Sequence, residues 1–118
     1  MERWCVRTDA GKEVFEPAAV RAGLEVLHNG DHVSLPEGPC LIIGVATWSD
    51  PDMIALDSAV DRIHQSNIPT LVFDIDECRT IANIQTMLPQ VDMQPTKTPV
   101  FAYYVDGKLQ TFGQGQMP

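Results

Sequence analysis

The chain has 118 residues, 44% apolar and 20% charged, which suffices to bury a core without disulfide or metal staples and excludes a disordered or fibrous polymer. Sixteen acidic against eight basic side chains leave a net charge of -8, which repels nucleic-acid phosphate and anionic membranes when no basic cluster is present. The longest apolar run, Cys40 to Ala46, is too short to span a bilayer, and Met1-Glu2-Arg3-Trp4 lacks a signal-peptide pattern, so a single cytoplasmic domain over 1–118 is expected, with neither nucleic acid nor membrane as partner.

Proline and glycine punctuate the chain into elements. Residues 3–8 and 13–15 carry strand formers around Asp9-Ala10-Gly11-Lys12, which predicts an N-terminal hairpin within an extension over 1–16. Pro17 then opens a predicted helix to about Leu27, with Ala19, Val20, Leu24 and Leu27 at helical spacing and Asn29-Gly30 as its stop. The continuously apolar run from Cys40 predicts a central strand buried on both faces. Met53, Leu56, Val60 and Ile63 predict an amphipathic helix, begun by Ser49 or Asp50 as cap, Pro51 in the first turn and Asp52 at the positive end of the dipole. Thr70 to Ile75 reads as another strand, and a weaker helix follows from about Glu77 to Leu88, closed by Pro89. Val100 to Val105, the turn Asp106-Gly107, and Lys108 to Phe112 predict a hairpin, and 114–118 a tail. The sum is an α/β domain with a mixed sheet flanked by helices.

From about Pro39 to Gly113 the order of elements resembles the thioredoxin-like superfamily. Members run an apolar strand into Ala-x-Trp-Cys-Gly-Pro-Cys at a helix start, then a strand ending in an acid, then a proline-led hairpin. Ala46, Trp48 and Pro51 stand in the matching register, Asp76 takes the acidic strand-end position, and Pro99 precedes Gly107 by the family's interval. The resemblance implies a three-layer α/β/α fold with a mixed central sheet. It also implies a cis bond at Pro99, and a groove between Trp48, Ser49, Asp50, Pro51, Asp52, Thr98 and Pro99 that pairs with an extended peptide. The blander reading is that Pro99 fixes a turn and Trp48 packs.

Three departures bear on chemistry. Ser49 and Asp52 stand where the family has its two cysteines, and Ile43 where it buries a carboxylate. A helix N-terminus brings a thiol near neutral pKa but leaves a serine hydroxyl many units too high, and Asp52 has no sulfur to resolve a mixed disulfide. The implied function is therefore a redox-inactive, noncatalytic protein or peptide binder, such as an assembly factor or chaperone-like subunit. The alternative is a thiol-disulfide oxidoreductase or redox sensor using a cysteine outside the motif. For that role Cys78 is the candidate: it follows Asp76-Glu77 near a helix start, where the dipole lowers a thiol pKa and the carboxylates raise it.

The family's last helix has no counterpart before residue 118, which implies an uncovered apolar strip on the side of the Asp52 to Gln65 helix and a homodimer or protein partner there. Residues 88–97 also form a longer loop than the family's. No cofactor or metal is expected. Cys5, Cys40 and Cys78 are odd in number and widely spaced, His28, His32 and His64 fall in no ligand pattern, and the stripe Asp50, Asp57 and Asp61 reads as a solvated helix face. Neither a Gly-rich phosphate loop nor a Gly-x-Ser-x-Gly elbow is present.

Overall fold

The computed structural model describes residues 10–28, 30–31, 33–77 and 80–118. They form helix α1 (Ala10–Arg21), strands β1 (Glu25–Val26) and β2 (Pro39–Val45), helix α2 (Asp50–Ser66), strand β3 (Thr70–Asp74), a 3-10 turn (Ile75–Glu77), helix α3 (Ile81–Met87), and strands β4 (Val100–Val105) and β5 (Lys108–Gln114). The fold is mixed α/β: one five-stranded sheet in the order β1-β3-β2-β4-β5, parallel from β1 to β2 and antiparallel from β2 to β5.

Strand alternation divides the core in two. Leu41, Ile43, Val45, Val72 and Phe101 point to the side where α1 and α2 pack. Cys40, Ile42, Phe73, Val100, Ala102 and Tyr104 point to the side of α3, with Ile84, Met87 and Leu88. β2 is thus buried on both faces, as its unbroken apolar run requires. Gly44 in its middle has no room for a side chain, since a Cβ there would come within 2.6 Å of Phe73 Cζ. Tyr104 is fully buried, donates its hydroxyl to the Pro89 carbonyl at 2.7 Å, and has its pKa pushed far up by that burial.

The amino-terminal reading needs correction. Residues 3–9 lie outside the described residues, but Glu13 to Phe15, expected as the hairpin's second strand, belongs to α1, and so do Ala10 to Lys12 of its turn. Pro17 lies inside this helix rather than opening it. The reason is burial: Phe15, Ala18, Ala19 and Ala22 fall on one helical stripe and are all buried against the sheet, outweighing the hydrogen bond that proline removes. Nor does the helix reach Leu27. Gly23, at φ +78°, ends it in a Schellman motif, with Leu24 N–H on the Ala19 carbonyl at 2.9 Å and Gly23 N–H on that of Val20 at 3.0 Å. The chain after it extends, and Glu25–Val26 pairs with β3 at the sheet edge.

Three later boundaries also move. β3 ends at Asp74, so the strand-end acid is Asp74, and Asp76 lies in the 3-10 turn. α3 starts only at Ile81, where the Thr80 hydroxyl caps it by accepting the Asn83 N–H at 3.2 Å. β5 runs on to Gln114, and the Asp106-Gly107 turn has positive φ at both positions, 52° and 78°, the pair that suits a two-residue hairpin. On the side expected to be uncovered, the last residues fold back: Met117 packs against the α1–α2 core, and Arg62 donates to the Pro118 carbonyl at 3.4 Å.

Candidate functional site

The carboxyl end of β2 opens into the loop Ala46 to Ser49, beside the end of β3. The backbone turns back at once, with Ser49 N–H on the Ala46 carbonyl at 3.0 Å, and α2 begins. The Ser49 hydroxyl is the N-cap, accepting the Asp52 N–H at 3.5 Å, and Pro51 sits in the first turn. Asp52 reaches the other way: its Oδ2 accepts the Ala46 N–H at 2.8 Å. Only 3% of Asp52 is exposed. The two positions at which the resemblance expects cysteines therefore hold a cap and a clamp that close the β2–α2 loop. Ile43, where the resemblance expects a carboxylate, is fully buried.

A second buried acid lies alongside. Asp74 ends β3 at 6% exposure, accepts the Thr47 hydroxyl on Oδ2 at 3.4 Å, and accepts the Asp76 N–H on Oδ1 at 3.0 Å. Trp48 contrasts with these neighbours, since it is 59% exposed and stands out from the loop. A large aromatic ring left in water beside a capped, buried polar base is the distinctive feature of this end of the molecule.

Trp48 forms one side of a groove of about 520 Å3. Opposite it run Gln94 to Thr98, and the 3-10 turn contributes Ile75 and Asp76. The 88–97 loop thus supplies most of a wall. It is tied down by Thr96 N–H on Gln114 Oε1 at 2.8 Å and by Gly115 N–H on the Pro99 carbonyl at 2.8 Å. The Thr98–Pro99 peptide bond is cis, and Pro99 is buried. Among the described residues, none is hydrogen-bonded to the Thr98 N–H or carbonyl.

Of the residues singled out from sequence, the groove takes Trp48 and Thr98 into its lining. Ser49, Asp50, Pro51, Asp52 and Pro99 follow those two in the chain but do not line the groove, and Asp52 and Pro99 are buried. Ile75, Asp76, Gln94, Pro95, Thr96 and Lys97 were not singled out as binding residues. The extra length of the 88–97 loop was the sequence signal that pointed towards Gln94 to Lys97, and it said nothing of Ile75 and Asp76.

The other chemistry-bearing residues separate. Cys40 is 1% exposed within the α3-side core, where burial raises its thiol pKa and disfavours the thiolate. Cys5 and Cys78, like His32, lie outside the described residues. His64 bonds the Ala22 carbonyl, pinning α2 to the end of α1. Asp50 and Asp61 are exposed on α2 and Asp57 is half-buried, and among the described residues no group of three His, Cys, Asp or Glu side chains is arranged to hold a metal. No described helix is long and apolar enough to cross a membrane. No protein-family model matches the chain, and no curated protein does.

Proposed function

We propose that this is a thioredoxin-like domain without redox chemistry, which binds an extended protein segment in the groove between Trp48 and Thr98 and serves as an assembly factor or chaperone-like subunit. The observation that carries the reading is an exposed Trp48 lining the same groove as Thr98, whose backbone N–H and carbonyl are hydrogen-bonded to none of the described residues. An extended peptide offers both of the things this surface lacks: a main-chain edge for Thr98 and a side chain to cover the indole. The strand order, the single antiparallel hairpin after the β2–α2–β3 unit and the helices on both sheet faces support the fold reading.

The roles that Ser49 and Asp52 hold support the redox-inactive reading of this motif. A serine hydroxyl occupied as a helix cap and a carboxylate clamped on Ala46 cannot exchange disulfides. Two assays test the proposal. On an array of unstructured peptides the protein should retain a subset, and Trp48→Ala should weaken that binding by about thirtyfold, the effect of losing a central aromatic anchor of roughly 2 kcal/mol. In an insulin-disulfide reduction assay the wild-type chain should be inactive; turnover by it overturns the redox-inactive reading and directs attention to Cys5 and Cys78.

A further inference from the structure

The 3-10 turn Ile75–Glu77 faces two ways. Ile75 and Asp76 wall the groove, while Glu77 lines a second, smaller cavity of about 180 Å3 together with Glu16 of α1 and His28 just beyond β1. There the His28 ring lies between two carboxylates from different elements. Its Nε2 is 2.8 Å from Glu16 Oε1 and its Nδ1 is 3.5 Å from Glu77 Oε1.

Hydrogen-bond chemistry ties this arrangement to charge. An ionised carboxylate only accepts, and a neutral imidazole carries a single N–H, so the ring can donate to both glutamates only as imidazolium. In the neutral ring one nitrogen lone pair faces a carboxylate oxygen, and that arm is repulsive. The remaining titratable neighbours among the described residues are acidic as well. Asp31, from the following turn, accepts the His28 backbone N–H on Oδ2 at 2.8 Å, and Asp74, from the end of β3, lines the same cavity. His28 is accordingly held above its usual pKa, first by the hydrogen bond to Glu16, against an opposing effect of burial, and then by Glu77.

We propose that the Glu16–His28–Glu77 bridge is a protonation-dependent latch, which holds the 3-10 turn, and with it the Ile75–Asp76 wall of the groove, against α1 and the end of β1. On loss of the proton one arm is released, and the longer Glu77 arm is the weaker of the two. Histidine changes charge around neutral pH, so the His28 tie on the wall is made on the acidic side and lost on the basic side. The consequence for ligands rests on the groove reading above, whereas the latch itself does not.

The test is an NMR titration of the free, full-length protein from about pH 5.5 to 8.5, the range in which histidine changes charge. The His28 ring should titrate above 6.5, and the backbone amides of Ile75, Asp76 and Glu77 should move with the same midpoint. In Glu77→Gln the His28 midpoint should fall and the Ile75 and Asp76 amides should lose that transition; His28→Gln should abolish it in a folded protein. Ile75 and Asp76 amides that ignore the His28 midpoint in the wild type, or that keep the transition in His28→Gln, overturn the latch. Because no ligand enters this measurement, an empty peptide array sinks the groove reading without touching the latch.

Discussion

At the carboxyl end of β2, a side chain closes a loop by binding backbone: Asp52 accepts the Ala46 N–H, and both residues are buried. At the opposite end of the same sheet, side chains do the same task in water. Asp106 accepts the Gly38 N–H at 2.7 Å, and Gln90 spans the hairpin by donating to the Gly107 carbonyl at 2.6 Å and accepting the Leu109 N–H at 2.9 Å. By count of hydrogen bonds the hairpin end is the better tied. By free energy the order is reversed, because water can replace a lost partner at the hairpin and cannot at Ala46.

Mutation should expose that difference. Asp52→Ala strands a buried N–H and should cost about 2 kcal/mol, read as a lower midpoint in urea denaturation, while Asp52→Asn, which keeps an acceptor oxygen, should recover most of it. Equal losses for the two variants would show that the carboxylate charge, rather than the clamp, matters. Ser49→Ala removes the α2 cap and should cost about 1 kcal/mol, and Thr80→Ala at α3 should cost a similar amount. Gln90→Ala deletes two hydrogen bonds at the wet end and should still fall below about 1 kcal/mol; a cost matching Asp52→Ala would break the solvation argument.

Two weaker effects sharpen the comparison further. Trp48→Ala should leave thermal stability within about 0.5 kcal/mol of wild type, since the ring is mostly in water, while weakening the peptide binding proposed above. A large loss of stability would make Trp48 a packing residue. The His28 bridge should act with a defined sign. Its pKa is raised in the folded state, so its contribution is complete below 6.5 and is lost as pH rises through the folded value. Wild type should therefore lose a small stability advantage over His28→Gln between pH 6 and pH 8, about neutrality, and the half-exposed ring keeps that advantage small.

Periodicity and punctuation made much of this molecule legible. The continuous apolar run around Ile42 requires a strand covered on both faces, Met53, Leu56, Val60 and Ile63 require one buried helical face, and Asp106-Gly107 requires a tight hairpin, whatever surrounds them. Between Ala10 and Leu27 the structure departs from the sequence expectation because Phe15 and Pro17 are locally ambiguous: strand formers and a proline say nothing of the sheet face that covers Phe15, Ala18 and Ala19. Similarly, Gly23 ends α1 six residues before Asn29-Gly30, and two glycines in one stretch give no local sign of which takes the left-handed cap.

The site divides along the same line. That Ser49 and Pro51 start a helix, and that no thiol stands there, are determined by residue identity alone, because capping and sulfur chemistry are properties of single side chains. Which acids are buried, and why, was decided only by tertiary structure. Asp52 turns inward because Ala46 presents an N–H six residues upstream, Asp74 because Thr47 lies across from the end of β3, and Trp48 is left outside. The groove wall from Gln94 to Lys97 and the His28 bridge belong to this second class too, since each joins segments far apart in the chain and only packing sets their distances.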